Sequence, residues 1–131
     1  MSQLRTRIII VITGEGGSGG ALALGVGDHV SMLEHAIYSV ASPEACASIV
    51  WRSSDKAEDA ADAMKLTSKD LIKLKIIDEV IEEPIGGAHR DYKTISSHVK
   101  QSLLSNIENL NKISLEKLLD RRYSRLTEVG R

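Results

Sequence analysis

The apolar positions fall into two patterns, unbroken short runs in the first part of the chain and helical spacing in the last part. Ile8, Ile9, Ile10, Val11 and Ile12 are consecutive and all β-branched, too uniformly apolar to alternate between core and water. They predict a strand buried on both faces. Glycines follow at once, filling five of the seven positions 14–20, and the small apolar run 21–26 predicts a short helix on their far side. The order is strand, glycine turn, helix N-terminus. Backbone N–H groups in such a turn approach a ligand closely and the helix end adds about half a positive charge, which suits an anion or a developing oxyanion.

Residues 29–33 alternate as a strand does, and residues 36–40 offer another short one. Ser42 is a good N-cap, Pro43 suits the first helical position and Glu44 favours the positive end of the dipole, so 44–51 is predicted helical. Over 55–64, Ala57, Ala60, Ala61 and Met64 share one face of an amphipathic surface helix. Thr67 and Asp70 open a further helix through Leu71 and Leu74, and 76–81 reads as a strand. Pro84, Gly86 and Gly87 then make a loop that carries His89 and Arg90. Ile95, Val99, Leu103, Ile107 and Leu110 follow at helical steps, and Ser114 caps a second helix containing Leu115, Leu118, Leu119 and Leu126.

Composition narrows the class. A chain of 131 residues makes one domain at most, and 42 % hydrophobic with 27 % charged residues is ordinary for a soluble globular protein. No apolar run reaches the roughly 20 residues of a membrane span. Aromatics are only 3 %, so the core is aliphatic. A net charge of −1 gives no electrostatic reason to expect nucleic acid or a membrane surface as partner. The single cysteine, Cys46, makes neither an internal disulfide nor a thiolate zinc site, and the compartment reads as cytosol-like.

Two chemistries compete for the glycine turn. Gly14-Glu15-Gly16-Gly17-Ser18-Gly19 satisfies the dinucleotide fingerprint G-x-G-x-x-G, with Glu34 placed for a ribose. Against it, the following helix is short and carries Gly25 and Gly27. An oxyanion hole needs only two backbone donors, each worth about 3 to 4 kcal/mol in the transition state. His35 and His89 lack a paired acid or cysteine at short spacing and read as surface or structural residues, and no metal site is expected. Cys46, between Ala45 and Ala47, reads as an inert buried thiol, and Arg121 and Arg122 as part of a solvated helix face.

The stretch 14–28, with Met32-Leu33-Glu34-His35-Ala36-Ile37-Tyr38-Ser39-Val40, Ser42-Pro43-Glu44, Cys46-Ala47-Ser48-Ile49 and Glu83-Pro84-Ile85-Gly86-Gly87-Ala88-His89-Arg90, resembles the carboxyltransferase alpha subunit of bacterial and plastid acetyl-coenzyme A carboxylase, within the crotonase superfamily. The resemblance covers nearly the whole chain and corresponds to the C-terminal portion of that subunit. It implies an α/β fold of crotonase type, partial, with repeated strand-strand-helix units and C-terminal helices. Residues 1–90 would be the second half of a carboxyltransferase domain and 91–131 a helical extension. The implied reaction moves a carboxyl group from carboxybiotin, held on the biotin carboxyl carrier protein and not attached to this chain, to acetyl-coenzyme A, giving malonyl-coenzyme A for fatty-acid synthesis.

By the same resemblance, Gly19 and Gly20 fall on backbone oxyanion donors, and Gly16, Gly17 and Ser18 on the substrate-binding turn. The implied partners are the carboxyltransferase beta subunit, the carrier protein and the biotin carboxylase component, which spends the ATP. The implied location is the bacterial cytosol or plastid stroma. Ala45, Arg7 and Tyr92 depart from the family's usual glycine, proline and proline, and the family's upstream half, with its second Gly- and Pro-rich active-site loop, is expected to have no counterpart in this chain. Two alternatives stand beside this reading: an inactive remnant that only associates with the beta subunit, and a dinucleotide-binding domain. Because a strand such as 8–12 wants parallel neighbours on both sides, one sheet edge is expected to stay open and the isolated chain to be marginal as a monomer.

Overall fold

A computed structural model describes residues 1–129. The elements run β1 (Ile9–Ile12), β2 (Glu15–Gly17), α1 (Ser18–Leu24), β3 (His29–Leu33), β4 (Ile37–Ser39), α2 (Pro43–Trp51), a 3-10 turn (Ser54–Lys56), α3 (Ala57–Met64), α4 (Ser68–Lys73), β5 (Glu79–Ile81), α5 (Tyr92–Asn111) and α6 (Leu115–Glu128). Strand, strand and helix thus occur twice in succession, as β1-β2-α1 and β3-β4-α2. First strands pair with first strands and second with second. One parallel sheet has the order β1-β3-β5, with Ile10 opposite Val30 and Met32 opposite Val80, and a smaller parallel sheet pairs β2 with β4.

The core lies on the larger sheet, where Ile12, Val30, Met32, Leu33 and Ile81 meet Ala36, Leu71, Ile77 and Ile95. It is aliphatic, as the near-absence of aromatics requires. β1 departs from its expected burial. Only Ile12 is buried, and Ile9, Ile10 and Val11 are half-buried, because among the described residues β1 has a strand neighbour on one side alone.

Local signals set most helix boundaries. Ser42, Thr67 and Ser114 each accept the N–H three residues on, from Ala45, Asp70 and Lys117, as N-caps do. α3 turns the expected alanine face inward, with Ala60 fully buried. The strand expected over 76–81 begins only at Glu79. Lys75 adopts a left-handed conformation (φ 58°) and the Ile76 N–H turns back to the Leu71 carbonyl at 3.0 Å, so the chain is still leaving α4 there.

α2 packs against the 3-10 turn and α3, and its last residues Ile49, Val50 and Trp51 are exposed. α5 lies across β1 and β5. Its C-terminal end is met by Arg7, which donates to Leu110 O at 2.9 Å and, just past the helix, to Ile113 O at 3.0 Å, as a cation at that end of a helix does.

Two charged clusters fasten the helices to the sheet. Arg122 is 1 % exposed, so its assignment to a solvated face does not hold; Arg121 is exposed. The Arg122 guanidinium grips Asp28 with Nε on Oδ1 (2.8 Å) and Nη2 on Oδ2 (2.7 Å). Its remaining N–H groups donate to the carbonyls of Met1, Ser2, Leu4 and Thr6. Asp28 in turn accepts the Ile8 N–H at 2.7 Å, so α6, the first residues and the start of β1 are held at one point.

The second cluster centres on Glu79, whose Oε2 lies within hydrogen-bond distance of Ser102 Oγ (2.6 Å), Asn106 Nδ2 (2.8 Å), Ser31 Oγ (2.9 Å) and His29 Nε2 (3.2 Å). Burial pushes this carboxyl up, and the hydrogen bonds from Ser102, Ser31, His29 and Asn106 together outweigh it, leaving the group below its ordinary value of 4.5. A depressed folded-state value means stability that is present above the unfolded value and lost as pH falls through the folded one. The urea midpoint is therefore expected to fall once pH drops below 4.5, and Glu79→Gln to lack that part of the fall. Identical acid profiles for the two proteins would remove the Glu79 contribution.

Candidate active site

The glycine turn is built differently from a simple strand-to-helix connection. Residues 15–17 are themselves a strand, β2, which pairs with β4 so that Gly16 faces Tyr38. The helix then begins at Ser18 rather than at Ala21. Gly17 is the N-cap in an extended conformation (φ −135°, ψ 159°), and no side chain caps the helix. Gly19 and Gly20 therefore lie in its first turn, where backbone N–H groups have no partner within the helix.

The glycines divide into two groups by what surrounds them. A Cβ on Gly16 would meet the Tyr38 ring at 2.8 Å, and one on Gly27 would meet Ile10 Cγ1 at 2.8 Å and the Ile8 carbonyl at 3.1 Å. These are close-packing glycines. Among the described residues, Gly14, Gly17, Gly19 and Gly20 have nothing within 4 Å of a Cβ position, and all four are exposed. No neighbouring atom requires glycine at these four. Between them stands Ser18 with φ 61°, a left-handed conformation uncommon for a residue with a side chain and frequent at ligand-binding turns.

All five residues expected at the site are contiguous in space as in sequence, with Gly16 at the rear against Tyr38 and Gly17, Ser18, Gly19 and Gly20 at the exposed front. The other polar candidates are apart from it in sequence and role. His35 is exposed, and its backbone N–H donates to Glu83 Oε2 at 2.7 Å. His89 is exposed in the loop after β5. Cys46 is a free, half-buried thiol on α2. Two apolar cavities lie nearby. One, of about 470 Å³, sits between α1, β4 and the end of α6, and includes Leu22, Tyr38, Val40 and Leu126 among its walls. The other, of about 680 Å³, runs along α5 beside Thr13 and Leu33.

Sequence reading did not give Tyr38 a role. Its hydroxyl donates to the Ala21 carbonyl at 3.1 Å, and burial pushes its phenol above the usual 10.0. The one available signal was its place opposite the glycines, which required knowing that 15–17 form a strand.

The fold is that of the crotonase-type α/β proteins. One solved relative in shape is a malonate decarboxylase hetero-tetramer from Pseudomonas in complex with coenzyme A, at a TM-score of 0.55 and 18 % identity over 63 % of this chain and 35 % of that one. The sequence is more specific. Residues 1–130 match the family model described as acetyl co-enzyme A carboxylase carboxyltransferase-like, and the chain belongs to that family.

Similar proteins include the acetyl-coenzyme A carboxylase carboxyl transferase subunit alpha of Histophilus somni (strain 129Pt), 55 % identical, and that of Vibrio campbellii, 56 % identical. Each matches 99 % of this chain, and the chain spans 41 % of the length of each. Membership of this family, and the strand β2 inserted between β1 and the helix, set aside the dinucleotide reading, in which the strand passes straight into the helix.

Proposed function

We propose that this chain supplies the oxyanion-binding part of a carboxyltransferase centre that takes a carboxyl group from carboxybiotin on a biotin carboxyl carrier protein and gives it to acetyl-coenzyme A. The observation that carries the reading is the open first turn of α1, where Gly19 and Gly20 stand exposed and no atom of the described residues lies within 4 Å of either Cβ position. In the reaction the bond from the biotin ureido nitrogen to the carboxyl carbon breaks, leaving negative charge on the ureido oxygen. The methyl carbon of acetyl-coenzyme A gives its proton to the ureido nitrogen and forms the new carbon–carbon bond of malonyl-coenzyme A. Gly19 and Gly20 N–H groups at a helix N-terminus suit the charge that develops on the ureido oxygen, and Gly16, Gly17 and Ser18 shape the turn around it.

A carboxyltransferase beta subunit supplies the opposite wall and the donors for the thioester enolate. Biotin carboxylase, which recharges the carrier with ATP, is a separate component, and the chain works with it in the bacterial cytosol or plastid stroma. The relatives' designation as subunit alpha supports a multisubunit setting. The test is to mix the purified chain with a family beta subunit, carboxylated carrier and acetyl-coenzyme A and to measure malonyl-coenzyme A. Formation that depends on both proteins is the expected result. Binding to the beta subunit without product would mean an inactive remnant.

A further inference from the structure

α1 has little of its own to hold it. It has seven residues, two glycines in its first turn, no capping side chain and no acid in its first turn, and it buries no residue. Glycine is a poor helix former relative to alanine, and helices shorter than about 12 residues are marginal without tertiary support. Yet this is the element that presents Gly19 and Gly20.

The support comes from Tyr38 on β4. Its ring edge lies against Gly16, with Cδ2 2.8 Å from where a Cβ would be, and its hydroxyl occupies the place of a Cβ on Gly25, the helix C-cap. That hydroxyl donates to the Ala21 carbonyl at 3.1 Å, which also accepts the Gly25 N–H at 2.8 Å. A single side chain therefore touches the strand before the turn, the residue that follows Gly20, and the end of the helix. Glycine at 16 and at 25 is what lets the ring lie there.

We infer that Tyr38 is a positioning residue, which pegs α1 at Ala21 and so sets the direction in which the Gly19 and Gly20 N–H groups point. Its consequence for turnover rests on the carboxyltransferase reading; its hold on α1 does not. The phenol, raised by burial, stays protonated at neutral pH and keeps its proton for the Ala21 carbonyl.

Hydrogen exchange followed by mass spectrometry on the whole chain tests the peg. In Tyr38→Phe, exchange over residues 18–26 is expected to rise about five- to tenfold while residues 29–33 keep their rate. Gly25→Ala, which drives a methyl group into the hydroxyl, should also loosen 18–26. Adding Tyr38→Phe to Gly25→Ala should then slow exchange again, because the colliding atom is gone. An equal rise across both segments, no change, or a double variant looser than Gly25→Ala would overturn the inference.

With a beta subunit present, Tyr38→Phe is expected to lower kcat about tenfold and leave the KM for acetyl-coenzyme A within about twofold. A raised KM with unchanged kcat would overturn the positioning role. If the unaltered chain makes no malonyl-coenzyme A, the carboxyltransferase reading fails and the exchange experiment still decides the peg.

Discussion

Arg122→Ala is expected to destabilise the chain by about 3 to 5 kcal/mol, a large part of the 5 to 15 kcal/mol that typically holds a domain folded. The reason is what stays behind. Asp28 is 3 % exposed, and both its oxygens are engaged by the guanidinium. Without Arg122 it is a buried carboxylate that keeps one N–H partner, from Ile8. The carbonyls of Met1, Ser2, Leu4 and Thr6 lose their donor at the same time.

The figure is the cost of leaving a charge unpaired, not the net worth of the pair, which against apolar residues of equal volume is close to nothing. Arg122→Lys should rescue little, because an ammonium has three donors and no planar fork for a carboxylate. Arg121→Ala, at an exposed position, should stay within about 0.5 kcal/mol of the parent. Urea unfolding of the three variants measures all of this, and a loss below about 1 kcal/mol for Arg122→Ala would show that Asp28 finds water instead.

Gly19→Val, placed in a complete alpha subunit of this sequence and assayed with its beta subunit, is expected to lower turnover about 100- to 1000-fold, the loss seen when one oxyanion donor is removed. Gly20→Val should behave alike. A branched side chain at either position fills the space before the N–H groups that the proposed ureido oxygen needs. Stability should hardly move, because no atom of the described residues lies within 4 Å of either Cβ position and valine is at least as good a helix former as glycine.

Gly27→Val supplies the contrast. There the new side chain runs into Ile10 and the Ile8 carbonyl, so folding should suffer first and activity only with it. Unchanged turnover in a folded Gly19→Val protein would refute the oxyanion role.

What could be read in advance was local. Ser42, Thr67 and Ser114 announce their helices because a cap and the N–H it accepts are three residues apart. β3 emerged with its full range because its residues alternate and lie mid-sheet. β2 was hidden, since Glu15, Gly16 and Gly17 have no strand propensity and are extended only because β4 lies beside them.

The partners 94 residues apart that join Arg122 to Asp28 leave no periodic trace either, and a charge on an amphipathic helix is on average a solvated one. The candidate site was legible as a glycine turn, but not the division of its glycines into packed and open. That division depends on Tyr38 and Ile10, which reach the turn through sheet pairing.

The placing of the one tryptophan makes the chain a self-reporting probe. Trp51 stands at the end of α2, 45 % exposed, on a helical hairpin whose neighbours are α3 and the 3-10 turn rather than the larger sheet. The residue is already about half exposed in the folded state, so unfolding moves its emission less than that of a buried tryptophan and a denaturation curve read there has a small amplitude. A protein surface laid over Ile49, Val50 and Trp51 would dry the ring and move the emission to the blue. In this molecule fluorescence colour reports company, and circular dichroism must report the fold.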